Sequence, residues 1–161
     1  MQETIINNQF VTFKIEEETY AIDVFKIREI LEVPDITRVP GMPAMIRGVI
    51  NIRGSVVPVL DLRMQFGRGA TLQTEDTAVI VTEMVHDEDV IQMGILVDAA
   101  REVITLEAED IEEPPRLGIF IDNKYLSGMG KRNGEFVIIL NIDKILSEDE
   151  LSQVNIPKSV E

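Results

Sequence analysis

Cysteine is absent from the 161 residues, which excludes disulfides, thiolate nucleophiles, cysteine-ligated zinc and iron–sulfur clusters. Tryptophan is absent too and only two tyrosines occur, so the aromatic platforms on which carbohydrate sites rest are missing. A single histidine, His86, is all a serine-type triad could draw on, and no serine stands in a nucleophile-elbow setting. Basic side chains are scarce, 15 Lys and Arg against 29 Asp and Glu, for a net charge of −14. The deficit holds on both sides of the middle, with 8 basic and 11 acidic groups in residues 1–80 and 7 and 18 in residues 81–161. No stretch offers the cationic footprint that nucleic acid or an anionic membrane surface needs. Nor does any apolar run approach the roughly 18 residues that cross a bilayer. Met1 to Asn8 is polar and carries no secretory pattern. These absences lead to the expectation of a cytoplasmic protein with no direct membrane insertion.

What is abundant is the β-branched aliphatic side chain: 22 Ile and 17 Val favour pleated strands over helices. Alternation in Val11, Phe13, Ile15 and again in Tyr20, Ile22, Val24, across Glu16, Glu17 and Glu18, predicts an opening hairpin. From Val24 the spacing changes to Val24, Ile27, Ile30 and Leu31, which suits a short helix of one or two turns. Pro40-Gly41-Met42-Pro43 must turn. Strands are expected over 46–53 and 56–60, joined across Gly54-Ser55, with Pro58 marking an edge or a bulge. Further strands are expected over 77–84, 90–97, 102–106 and 136–141, the last preceded by the hairpin dipeptide Asn133-Gly134. Residues 142–151 read as a short closing helix and the tail beyond Ser152 as frayed. The fold class is therefore all-β, with short helices and a polar divide near residues 68–76 between two strand-rich halves.

Few motifs carry chemistry. His86-Asp87-Glu88-Asp89 could hold a hard metal, but it falls between two strands and reads as a charged hairpin loop. Glu107, Glu109 and Asp110 could pair as acid and base, yet 29 carboxylates make any one pair weak evidence. Gly67-Arg68-Gly69 and Gly128-Met129-Gly130-Lys131 match neither the phosphate loop nor the dinucleotide fingerprint and read as turn glycines. No cofactor is implied. The unusual stretch is 48–54, where Gly48 interrupts an apolar strand and implies a bulge or another backbone close by. Arg53, at the hairpin end, could fork onto a partner carboxylate or cap local carbonyls. Composition alone also allows a small β-barrel carrier that encloses an apolar ligand between its halves.

The order of segments resembles the CheW family of chemotaxis adaptors. The likeness runs from about Phe10 to Leu146 and rests on Tyr20-Ala21-Ile22-Asp23 with Glu29-Ile30, on 36–40, on Ile46 to Gly54, and on Pro58 to Arg63. In the second half it rests on 94–98, 102–104, Tyr125-Leu126-Ser127-Gly128 and 138–143, with Pro114-Pro115 between them. The resemblance implies a single CheW-like domain over 1–161, built as two interlocked five-stranded SH3-like barrels. Their approximate subdomains are 10–68 and 77–146, with terminal segments exchanged between barrels. It implies a non-enzymatic scaffold that couples methyl-accepting chemoreceptors, through their cytoplasmic signalling tip, to the regulatory domain of the histidine kinase CheA. Carried over by motif, the receptor-binding groove would include Ile27, Glu29, Gly48 and Arg53, with Gly48 leaving room for a partner's backbone. The turn containing Pro40, Met42, Pro43 and Met45 would face the kinase.

Overall fold

The computed structural model describes residues 8–113 and 123–154. The expected frayed tail lies outside this range beyond Val154, as does Pro114-Pro115. Among the described residues the chain forms β1 (Gln9–Ile15), β2 (Glu18–Asp23), β3 (Ile27–Glu32), β4 (Ile46–Ile52), β5 (Ser55–Asp61), α1 (Leu62–Gln65), β6 (Ala78–His86), β7 (Asp89–Val97), β8 (Ala99–Thr105), β9 (Ile111–Glu112), β10 (Leu126–Arg132), β11 (Glu135–Leu140) and α2 (Glu148–Gln153). One sheet has the order β8-β1-β2-β11-β10-β9, the other β3-β6-β7-β5-β4. The second sheet has the expected five strands, and the first adds the two-residue β9. Both sheets draw strands from either side of residues 68–76, and one parallel pair in each, β2 with β11 and β5 with β7, ties early chain to late chain. Beyond β3 the chain turns back so that Thr37 and Val49 exchange backbone hydrogen bonds of 2.9 and 2.8 Å. This joins the two edges of the second sheet and curls it.

Alternation distributes the apolar side chains over three cores. The largest lies between the sheets and mixes Phe13, Tyr20, Ile138 and Leu140 of the first with Leu60, Ile80, Met84 and Ile95 of the second. Ile50, Val59, Val81 and Leu96 fill the curl of the second sheet, while Phe10, Ile104, Leu106 and Ile139 fill that of the first. Burying one such side chain fully contributes about 1.5–3 kcal/mol.

The opening hairpin and the Asn133-Gly134 turn form as expected, the latter with φ of 53° and 80° at its two central residues. Five expectations are corrected. The segment 24–31 is a single 3-10 turn, Val24–Lys26, followed at once by β3. The β4–β5 turn uses Arg53-Gly54, with φ of 48° and 88°, one residue earlier than Gly54-Ser55. Pro58 is not on an edge, because β5 lies between β4 and β7. It is tolerated because its partner Val49 directs both backbone groups to Thr37 and the parallel ladder to β7 starts only at Val59, so no ladder bond needs the missing N–H. Gly128 and Gly130 lie within β10, where a Cβ on Gly130 would press on Leu106 Cδ1 at 2.6 Å. The closing segment is also divided, into a 3-10 turn Ile142–Lys144 and α2, because Ser147 caps α2 by accepting from the Glu150 amide at 3.1 Å.

Candidate protein-binding site

Glu29 and Arg53, 24 residues apart in sequence, meet at the open end of the second sheet's curl. The Arg53 guanidinium forks onto the Glu29 carboxylate, Nη2 to Oε2 and Nη1 to Oε1. Two local features bring this about. The αL conformation of Arg53 turns its side chain out of β4 at the hairpin apex. On β3, the register slips between Ile27, opposite Thr82, and Glu29, opposite Val81. A bulge at Arg28 therefore sends Ile27 and Glu29 to opposite faces of one strand. Glu29 joins Val81 and Ile52 at the mouth, together with Arg28, Ser55 and Gln92. Ile27 packs against the core between the sheets.

The hydrogen bond to Glu29, and then its charge, hold the Arg53 guanidinium above its ordinary pKa. Arg53 is 74% exposed and Glu29 24%, so the pair stays wet and contributes little to folding. A second pair, Arg28 Nη1 to Glu83 Oε2 at 3.0 Å, flanks it. Neither Arg28, Glu83 nor Gln92 stood out in the sequence, since only strand register places them at the mouth.

The other residues anticipated from sequence lie apart from this pair. Gly48 does meet a close backbone, but it is the chain's own: with φ of 149°, a Cβ there would overlap the Thr37 carbonyl and sit 2.8 Å from Ile36 Cγ2. The space at Gly48 is therefore not room for a partner's backbone. In the turn, Pro40 is exposed, Pro43 is half-buried, and Met42 and Met45 are half-buried against the central core. The backbone there is pinned by Ile46 N to Pro43 O at 2.9 Å and Asp61 N to Met45 O at 2.7 Å. His86 sits on the expected charged hairpin, 3.3 Å from Asp87. Glu107 and Asp110 cap each other across a 3-10 turn.

One polar cluster escaped the sequence reading entirely. Asp61 is fully buried and accepts from Thr71 Oγ1 at 2.7 Å, Thr71 N at 2.9 Å, Arg47 Nη1 at 2.8 Å and the Arg63 amide at 3.1 Å. It caps α1 and pins the following loop, a structural duty that uses its acceptor sites.

Two curled sheets on a filled core, with charged pairs turned outward at one mouth, define a binding module whose function lies in its surfaces. A model of the CheW-like domain matches residues 9–150. The chain is 35% identical to the chemotaxis protein CheW of Klebsiella aerogenes over 155 residues, covering 96% of this chain and 91% of that one. It is 37% identical to CheW of Helicobacter pylori over 142 residues, covering 88% and 82%. The crystal structure of the scaffolding protein TtCheW from Thermoanaerobacter tengcongensis superposes with a TM-score of 0.80 at 30% identity, covering 93% of this chain and 94% of that one. The chain belongs to the CheW family, and its role is that of a chemotaxis coupling adaptor.

Proposed function

We propose that this protein acts in the cytoplasm as a non-enzymatic link between the signalling tip of methyl-accepting chemoreceptors and the regulatory domain of a CheA-type histidine kinase. The observation that carries this reading is the Glu29–Arg53 fork. A solvated pair at the rim of a polar mouth floored by buried Ile52 and Val81 adds little to the fold, yet it presents matched charges to a receptor helix. Ile27 supports the same surface from the opposite face of β3, and Gly48 supports it indirectly by letting β4 close on Thr37. The exposed Pro40 end of the turn, backed by Met42, Pro43 and Met45, is assigned to the kinase. A carrier of apolar ligands is disfavoured because the space between the sheets is occupied by fully buried Phe13, Tyr20, Leu60, Ile80 and Ile95.

The test is autophosphorylation of the kinase in a reconstituted mixture with a receptor signalling fragment. The wild-type chain should raise kinase activity in a receptor-dependent way. Arg53→Glu places two carboxylates together at the mouth and should weaken receptor binding at least about ten-fold while leaving the thermal midpoint nearly unchanged. Coupling that survives Arg53→Glu would return the fork to a purely local role.

A further inference from the structure

The strands β6 and β7 run past their neighbours. Pairing with β3 ends at Thr82 and pairing with β5 begins at Gly94, so among the described residues, 83–92 have only one another as strand partners. They form a two-stranded arm, a structure that is marginal by itself in water. One face roots it: Met84 and Met93 are fully buried in the central core and Ile91 packs against it. Asp143 ties its side, accepting from the Val85 amide at 2.8 Å while holding Lys26 Nζ at 2.9 Å. The opposite face is bare. The cross-strand pair Val85 and Val90 is 47% and 54% exposed.

That bare face continues the mouth described above. Directly paired residues share a face, so Glu83 with Gln92 and then Val85 with Val90 carry outward the face whose inner end, Val81, is buried in the curl of the second sheet. From Val81 to Val85 this spans about 13 Å, the length of roughly nine helical residues. The turn adds a second peculiarity. Asp87 and Glu88 both have positive φ, 48° and 69°, in a two-residue connection that ordinarily takes Asn-Gly. Retaining two carboxylates in αL costs stability, a sign of a constraint other than folding. With Asp89 they put three carboxylates at the tip, beside His86, which lies 3.3 Å from Asp87.

We infer that this arm is an accessory docking strip for the receptor's signalling helix, the Val85–Val90 pair taking an apolar side chain and the tip carboxylates taking a Lys or Arg about three to four turns along from the residue at the Glu29–Arg53 mouth. The inference rests on the proposed function, and it commits the partner helix to an apolar stripe that ends in basic residues.

Two variants of the full chain test it against the cytoplasmic tip fragment of a chemoreceptor from the same genome, with the kinase regulatory domain measured in parallel. Val85→Thr/Val90→Thr keeps β-branching and should weaken receptor binding roughly ten-fold while leaving kinase binding unchanged. Asp87→Asn/Glu88→Gly supplies the favoured turn residues, so it should raise the thermal midpoint yet reduce receptor affinity about three-fold at low salt and flatten its salt dependence. Receptor binding that is lost in Arg53→Glu but untouched in both arm variants would overturn the arm and leave the function standing. Weakening confined to the kinase domain would equally overturn the receptor assignment of the arm. A wild-type chain that binds no receptor fragment would overturn the proposed function itself.

Discussion

Gly48 shows how much one missing side chain can decide. Its hydrogen faces the Thr37 carbonyl at the point where the second sheet closes, and its φ of 149° is one that L side chains rarely adopt. Gly48→Ala should therefore destabilise the fold by about 2–4 kcal/mol, read as a lowered urea midpoint with an unchanged slope. An unchanged midpoint would mean that β4 can move off Thr37 at little cost. A binding defect in a Gly48 variant has to be judged against that loss of stability. The sequence made the glycine conspicuous, because glycine inside a strand signals a bulge or a close backbone. Both are present, with a register shift between Ile46 and Gly48. Whose backbone approaches is a matter of tertiary structure, and sequence spacing could not supply it. The same holds for Arg53: its fork was foreseeable from residue type, but its partner lies on β3. Asp61 was invisible for a different reason, since one buried carboxylate among 29 acidic side chains carries no local signature.

Among the elements, hairpins with strong turn residues were legible and segments with mixed periodicity were not. Val24, Ile27, Ile30 and Leu31 mimic a helical stripe because a 3-10 turn precedes β3 and the bulge at Arg28 adds one residue, stretching a two-residue period toward three. In the closing segment, Ser147 and Glu150 form a capping box that starts a new helix where continuous helical spacing had been read. The turn at Ile142–Lys144 has a larger role than its length suggests. It follows β11 of the first sheet, and Asp143 reaches both Lys26, where the chain crosses between sheets, and the Val85 amide of β6 in the second. Asp143→Ala leaves that amide without its acceptor and frees the base of the arm. Hydrogen exchange at Val85 should accelerate about ten-fold or more, in line with a loss of about 1–3 kcal/mol, while amides in the middle of β6 keep their protection. Equal acceleration along the whole strand would show that Asp143 supports global stability and is not a local tie.

For the molecule as a whole, alternation revealed strands and a composition of Ile and Val revealed the class, but neither specifies which distant strands pair. The parallel contacts β2–β11 and β5–β7 join residues more than 30 positions apart, and nothing local encodes them. Four of the aromatic rings mark the seam that results: Phe13 stacks on Tyr20, Tyr20 on Phe66 and Phe66 against Tyr125, at centroid separations of 5.7, 5.5 and 5.8 Å. This line links β1 and β2 to the end of α1 and to the residue before β10. Tyr20, at its centre, is fully buried and donates to Glu18 Oε1 at 3.1 Å. Burial, then the Glu18 charge, push its phenol far above the ordinary value of 10.0. The folded state thus holds this proton more tightly than the unfolded chain does. The stability it contributes is complete below about pH 10 and declines as pH rises toward the higher folded value, by at most about 1.4 kcal/mol per pH unit for one proton. Because the chain has two tyrosines and no tryptophan, Tyr125→Phe leaves Tyr20 as the sole phenol to follow. In that variant the phenolate absorbance should appear only together with loss of the β-sheet circular dichroism, and Tyr20→Phe should flatten the alkaline fall in stability. A phenolate that forms reversibly near pH 10 while the sheets remain intact would show that water reaches Tyr20 in the folded protein, and that the ring seam opens without unfolding.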